Sequence, residues 1–416
     1  MINRLRQKYD IRWDVLDVII SGKSSIDHSS GFQIESLEDA GRFILSYGYD
    51  PENPIEKSEI LGNFHEALNF VRKQFLYPDN PEGVKLEIPR KILELTDMRD
   101  LLLMASLRYA NQSPDSAGLG LQKWACSLLK VMHTIAHIDK DVRSSYFSDI
   151  QQQIFDRYYK LIHRDEDGRL YLGEKDDDPQ RIDLVAFETK PKKSRDSTIL
   201  KLLHKPENVA EDIFDRVGIR FISHTPLNAL QIIRYLRDKM VVMPPNIKPS
   251  RSRNTLIDLD DFRSTMSDVL DRVDRGECDE DGLLAHLQEA AHPPRVSPDN
   301  PHSSEFYRAI QFTCRQLIKL RNPIYEDLKE LKAATRSRTL TDESSASPAL
   351  LKMIDRIDLK YVQREVRFFY PYEVQVVDAK SNEENEKGRS AHSEYKKAQL
   401  QTALRRVMGS LVDAVR

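Results

Sequence analysis

Cysteine is scarce in this chain of 416 residues, and the only three are Cys126, Cys278 and Cys314. None stands in a C-x-x-C pair, which disfavours both a disulfide scaffold and a cysteine-based zinc site. No run reaches the roughly 18 apolar residues that a membrane-spanning helix needs. Asp14 and Asp17 interrupt what would otherwise be the apolar core of a signal peptide. These absences favour a soluble, cytoplasmic protein without a membrane partner.

A strong excess of either charge is also missing. The 63 Lys and Arg residues are balanced by 66 Asp and Glu residues, which gives a formal net charge of −3. This balance argues against a surface built for nonspecific binding to nucleic acid or anionic membranes, so any anion site must be local. The apolar fraction of 40% suffices for packed cores, and the length exceeds that of one usual domain.

The pattern of the chain changes near residue 165. Before this point, stretches such as SEILGNFHEALNFVRKQFLY place apolar residues three or four apart, which is typical of amphipathic helices. After it come turn signals and short β-like runs, and 250–304 has the pattern of an insertion with two acidic helices. We therefore expect an α+β protein, with an α-helical domain over 1–165 and a small mixed β-sheet flanked by helices over 166–416.

Three segments of the second half are predicted strands: VGIRFIS (217–223), FYRAIQFTC (306–314) and VRFFYPYEVQVVD (366–378). In the last of them, alternation places Tyr370 and Tyr372 on one face and Glu373 and Gln375 on the other. Asp215 stands at the entrance of the first strand. Two carboxylates on neighbouring strands form a typical Mg²⁺ site, so Asp215 and Glu373 are the candidate ligands.

Cations and an aromatic ring in the same region suit a nucleotide. Lys193, Ser197 and Lys201 recur every four residues and would share one helix face that binds a polyphosphate, or else a face that is merely solvated. Arg220, inside an apolar run, either faces a phosphate or pairs internally. Tyr307 could stack on a base or serve ordinary sheet packing.

Four motifs in the second half resemble the RelA/SpoT synthetase domain, an alarmone-making branch of the polymerase-beta-like nucleotidyltransferases. They are Asp-x-x-Gly-x-Arg at 215–220, Tyr-Arg-Ala-Ile-Gln at 307–311, Glu-Val-Gln at 373–375 and His-x-x-Tyr-Lys at 392–396, in the family's order. The Lys-x-x-x-Ser-x-x-x-Lys pattern at 193–201 reproduces a further element of that family. The resemblance covers about 190–223 and 303–400.

The resemblance implies a pyrophosphokinase that uses ATP and Mg²⁺. Its acceptor would be the 3′-hydroxyl of a guanosine nucleotide, or a tRNA end as in some toxin-like relatives. Asp215 and Glu373 would be catalytic and would hold the metal. The residues that it assigns to nucleotide binding are Lys193, Ser197, Lys201, Arg220, Tyr307, Gln311, Gln375, His392, Tyr395 and Lys396.

Two other functions remain open at this point. Pro191, Gln311 and Val377 stand where the family has Arg, His and Arg, which would suit a nucleotide-binding regulator that has lost turnover. The chain could also be a helical interaction protein. In the first half, His133, His137 and Asp141 are spaced to present metal ligands on one helix face, although a polar helix flank is the favoured interpretation.

Overall fold

The computed structural model describes residues 34–106, 116–140, 143, 145–174, 178, 180–190, 194–205, 216–294, 307–339, 348–359, 362–387 and 392–413. The helices found there are α1 (Leu37–Tyr47), α2 (Pro54–Phe75), α3 (Arg90–Leu93), α4 (Met98–Met104), α5 (Ser116–Asp139), α6 (Phe147–Tyr159), α7 (Arg195–His204), α8 (Pro226–Asp238), α9 (Leu259–Asp274), α10 (Glu280–Ala290), α11 (Pro323–Thr339), α12 (Pro348–Arg356), α13 (Ala379–Lys387) and α14 (His392–Val412). The strands are β1 (Ile162–Arg164), β2 (Leu170–Leu172), β3 (Ile182–Lys190), β4 (Gly218–Ser223), β5 (Arg253–Asn254), β6 (Ile310–Arg321) and β7 (Glu365–Asp378).

The predicted α+β class is confirmed by one mixed sheet with helices around it. The strand order is β1-β2-β3-β4-β7-β6-β5. All neighbouring pairs are antiparallel except β4 and β7, which run parallel at the centre. A parallel pair needs a long connection, and here α8 to α12 and the strands β5 and β6 lie between β4 and β7 in the chain.

The described residues form two large hydrophobic cores. The helical core is formed by α1 to α5 together with α7 and α14, and its fully buried members include Leu128, Ile199 and Val407. The sheet core lies on the face of the sheet that α6 and α8 cover. Here the Tyr158 hydroxyl donates to that of Tyr372 at 3.1 Å, which ties α6 to β7.

The membership of these cores crosses residue 165, because α6 packs on the sheet whereas α7 and α14 pack in the helical core. The predicted domain limits, 1–165 and 166–416, stay a prediction. Within 250–304, the two predicted acidic helices are confirmed as α9 and α10, and β5 is an addition. Among the described residues, no helix has both the length and the apolar character that crossing a bilayer requires.

The predicted strands lie together in the sheet as β4, β6 and β7. The prediction for the second of them was wrong in its limits, since β6 begins at Ile310 and continues to Arg321, seven residues beyond Cys314. Its second half alternates buried and exposed residues, and the exposed ones include Arg315, Lys319 and Arg321. Charged residues at every second position conceal a strand whose other face is apolar.

Candidate functional site

The two faces of the sheet differ in chemistry. One face belongs to the sheet core, and the other carries polar side chains where β3, β4, β7 and β6 lie side by side. Cross-strand partners project from the same face. One row across this face consists of Glu188, Arg220, Gln375, Gln311 and Arg253. The adjacent row consists of Lys190, Gly218, Glu373 and Thr313.

A β-bulge turns two charged residues of β3 onto this polar face. Leu184 pairs with Ser223 and Ala186 with Ile222, so β3 has one more residue than β4 at this point. Leu184 accordingly packs in the sheet core, whereas Ala186 packs on the opposite face. Since the bulge shifts the alternation by one residue, Glu188 and Lys190 project beside Arg220 and not into the core.

Glu373 is a nearly buried carboxylate with one cation beside it. Its residue exposure is 7%, and its Oε1 lies 3.3 Å from Nζ of Lys190. Gly218 lies in register between the two residues. A Cβ at Gly218 would stand 2.6 Å from Cδ of Lys190, so the glycine leaves the space through which the lysine stem reaches Glu373. A buried carboxylate needs such a partner because its charge is otherwise poorly solvated.

Arg220 also lies on the polar face, with its side chain 22% exposed. Its Nε donates to Oε1 of Gln375 at 2.9 Å. Its Nη1 lies 3.5 Å from Oε2 of Glu188 and 3.3 Å from Oε1 of Glu386 on α13. Of the two alternatives for Arg220, internal pairing is therefore the arrangement found, and its position on the polar face also leaves a phosphate role open.

Tyr307 lies just before β6 and completes the group. Its hydroxyl accepts a hydrogen bond from Nε2 of Gln375, and its ring packs against Ile222, Ala309 and Val377. Burial, reinforced by the charge of Glu373, raises the pKa of Tyr307 to about 12, so the phenol is neutral at pH 7. Together, Lys190, Arg220, Tyr307, Glu373 and Gln375 form a sheet-face cluster.

The predicted residues of the basic helix belong to a different element from the sheet-face cluster where the structure describes them. Ser197 and Lys201 are on α7, which packs in the helical core through Ile199, and Lys193 lies outside the described residues. Ser197 accepts a hydrogen bond from the Ser194 hydroxyl at 2.8 Å. These contacts fix Ser197 within its own helix, and those that the structure describes for it do not extend to the sheet-face cluster.

The start of α7 is held by ion pairs with the helical core. Arg195 donates from Nη2 to Asp139 at 2.7 Å and to Glu66 at 2.9 Å. Nζ of Lys73 lies 2.5 Å from Oδ2 of Asp196. The start of α7 is therefore anchored at a defined place on α2 and α5.

The other predicted site residues divide into three groups. Gln311 is half-buried and in register with Gln375, so it belongs to the polar face. Lys396 is exposed on α14, where the backbones of His392 and Tyr395 also lie, although their side chains are outside the described part. Asp215 also lies outside the described residues, so the pairing of the two carboxylates stays a prediction.

The histidines of α5 make a contact that suits a structural role. His133 Nδ1 lies 2.6 Å from the hydroxyl of Tyr47, and the rings of His133 and His137 are 4.3 Å apart between centroids. Burial, with the nearby His137, lowers the pKa of His133 to about 4, so the ring is neutral at pH 7. Asp141, the third candidate ligand, lies outside the described residues.

The chemistry of the polar face fits a magnesium nucleotide. Magnesium binds one or two carboxylates and completes its octahedron with phosphate oxygens and water, which is compatible with Glu373 beside Lys190 and Arg220. Within the described ranges there is no group of three or more His, Cys, Asp and Glu side chains suited to a metal.

Sequence reasoning missed the part that Lys190, Glu188 and Glu386 play here. Lys190 belongs to none of the motifs that the sequence offers, and the bulge that redirects it has no clear signal in the sequence. Glu386 comes close to Arg220 through the position of α13, which is set by tertiary packing.

No protein-family model, curated protein or solved structure was found to match the chain.

Proposed function

We propose that the chain is an ATP-dependent pyrophosphokinase whose site is the sheet-face cluster. The observation that carries this proposal is Glu373, a carboxylate only 7% exposed that shares a polar sheet face with two cations and a tyrosine. A nearly buried carboxylate next to cations is a costly arrangement for stability alone, and it is typical of sites that bind charged substrates. The family motifs at 215–220 and 373–375 support the same proposal.

The roles follow from charge and position. Lys190 and Arg220 would bind phosphate oxygens of ATP, exchanging carboxylate partners for a phosphate. Asp215 and Glu373 would hold Mg²⁺, which supplies charge neutralisation on the phosphates when it is bound. Tyr307 would contact the base of the acceptor, and Gln375 keeps its hydroxyl oriented. Ser197 and Lys201, with Lys193, would extend the phosphate site from α7.

The reaction would be an in-line displacement at the β-phosphorus of ATP. The 3′-oxygen of a guanosine nucleotide forms a new bond to the β-phosphorus. The bond from the β-phosphorus to the oxygen that bridges it to the α-phosphorus breaks, and AMP leaves with that oxygen. The proton of the 3′-hydroxyl passes to the carboxylate of Glu373. Catalysis of this type comes mainly from positioning and electrostatic stabilisation, which a rigid sheet face can provide.

A second candidate is a nucleotide-binding regulator without turnover. It is favoured by the internal pairing of the two cations, because Lys190 lies 3.3 Å from Glu373 and Arg220 lies 3.3 Å from Glu386. A regulator could retain these pairs with ligand bound, whereas the enzyme must open at least one of them.

The two candidates are separated by incubating the full chain with MgATP labelled at the β- and γ-phosphates. Guanosine nucleotides, adenosine nucleotides and tRNA are offered in turn, and the products are identified by mass. The pyrophosphokinase hypothesis predicts two products in equal amounts, AMP and an acceptor that carries both labelled phosphates. Saturable ATP binding without AMP formation with any acceptor would favour the regulator and contradict the enzyme.

A further inference from the structure

The β6–β7 ribbon extends beyond the sheet-face cluster and exposes one face along its length. The cross-strand pairs on this face are Arg315 with Pro371, Leu317 with Phe369, Lys319 with Arg367, and Arg321 with Glu365. Phe369 is 52% exposed and Leu317 39%. The exposed side chains on this face form a ribbon face, which consists of Arg315, Leu317, Lys319, Arg321, Arg367 and Phe369.

The reverse side of this ribbon packs against α6, which supports it. Ile318 and Leu320 on that side are buried in the sheet core. Gln153 of α6 donates from Nε2 to the Lys319 carbonyl at 3.0 Å, and its Oε1 accepts from the Lys319 amide at 3.1 Å. The backbone at the edge of β6 is thus satisfied at this point, and the exposed side chains project from a fixed support.

The charge of the ribbon face is strongly positive for this chain. It has four cations, and the only acidic residue in the same cross-strand pairs is Glu365, which accepts a hydrogen bond from Nε of Arg367 at 2.6 Å. The whole chain has a formal net charge of −3, so this concentration of cations is local. Such a face attracts a polyanion, and its attraction is screened by salt.

The apolar pair at the centre of the ribbon face, Leu317 and Phe369, indicates which class of polyanion fits the face. Phe369 and Leu317 lie between Arg315 on one side and Lys319 with Arg367 on the other. Successive residues on one strand face are about 7 Å apart, so cations and ring alternate along the ribbon. Single-stranded nucleic acid presents both phosphates and unstacked bases, and aromatic rings among cations are the usual means of binding it. A duplex keeps its base faces stacked inside.

We propose that the ribbon face binds single-stranded nucleic acid. A base stacks on the ring of Phe369, and Arg315, Lys319, Arg321 and Arg367 bind the phosphates on both sides of it. This binding requires neither ATP nor turnover, so the proposal holds or fails independently of the proposed pyrophosphokinase activity.

The electrostatic part is tested with the full chain and a fluorescein-labelled, 12-nucleotide single strand of mixed sequence, as RNA and as DNA, without ATP. The triple variant Arg315→Gln/Lys319→Gln/Arg321→Gln should bind at least about tenfold more weakly at low salt. Its slope of log affinity against log salt should be shallower by about 2, since each lost phosphate contact accounts for about 0.7. A control triple variant removes three exposed cations elsewhere, Arg72→Gln/Lys91→Gln/Arg263→Gln, and should bind as the wild type does.

The stacking part is tested at Phe369. Phe369→Ala should weaken binding about tenfold with an unchanged salt slope, because stacking does not release counterions. Phe369→Tyr keeps the ring and should bind within about twofold of the wild type. The proposal is overturned if the two triple variants lose affinity equally or if Phe369→Ala binds as well as the wild type. It is also overturned if the wild type binds a duplex of the same sequence, or vesicles rich in phosphatidylserine, as tightly as it binds the single strand.

Discussion

The ion pair between Lys190 and Glu373 allows a quantitative test of the site's geometry. At 3.3 Å, two unit charges interact by about 5 kcal/mol at an effective dielectric constant of 20, which is an upper limit here. The side chain of Lys190 is 30% exposed, and both groups lose hydration on pairing. These opposing effects reduce the expected coupling energy to about 1–2 kcal/mol, above the value of an exposed pair.

A double-mutant cycle with Lys190→Met and Glu373→Gln measures this coupling. Lys190→Met alone leaves the nearly buried carboxylate without its partner and should lower the free energy of unfolding by about 1–3 kcal/mol. Glu373→Gln alone should cost less than about 1 kcal/mol, because Lys190 can turn toward water. The double variant should therefore be more stable than the sum of the two changes predicts, by the coupling energy.

The assay is urea unfolding followed by far-UV circular dichroism, with coincident tyrosine fluorescence curves as the check on two-state behaviour. Lys397 and Glu82 form the control pair, 2.7 Å apart with both side chains 50% exposed, and their coupling should not exceed about 0.5 kcal/mol. If Lys190 and Glu373 prove additive within about 0.3 kcal/mol, the carboxylate is not paired as described, and the electrostatic account of the site is refuted.

Two further predictions concern a glycine and a histidine. Gly218→Ala places a Cβ against Lys190 and should lower the free energy of unfolding by about 1 kcal/mol. Gly62→Ala, in open space within α2, should raise it by about 0.5–1 kcal/mol in the same urea assay, so destabilisation by both would contradict the packing argument. The pKa of His133, lowered from 6.5 to about 4, makes the unfolded chain bind the proton first. As the pH is lowered from 6.5 to 4, His133 should therefore reduce the free energy of unfolding by about 3 kcal/mol. In His133→Gln the free energy of unfolding should lose that part of its pH dependence, whereas the exposed control His224→Gln should keep it. Equal pH profiles of the free energy of unfolding in the two variants would refute the assignment of this effect to His133.

The central strands could be predicted from the sequence because their alternation is strong. Tyr370 and Tyr372 do lie in the sheet core, and Glu373 and Gln375 do lie on the polar face. Charged residues between apolar ones also revealed where polar chemistry is concentrated. Local pattern is sufficient here because a strand exposes its two faces to different surroundings.

The partners of those residues could not be predicted, since they depend on long-range pairing. From Leu184, simple alternation would turn Glu188 and Lys190 toward the core, and only the bulge opposite Ser223 reverses this. The joint core of α7 and α14 is likewise invisible locally, because helices nearly 200 residues apart meet in it. Register and packing between distant elements are decided by the whole fold.

The activity of Glu373→Gln decides whether the sheet-face cluster is the site of a pyrophosphokinase. The substitution keeps the shape of the side chain and removes the charge that would accept the proton and hold the metal. If it is, the wild type forms AMP from MgATP with an acceptor present. The variant is then slower by about a thousandfold or more, with a melting temperature within a few degrees of the wild type. Equal rates of AMP formation by the two proteins would show that Glu373 is not a catalytic residue.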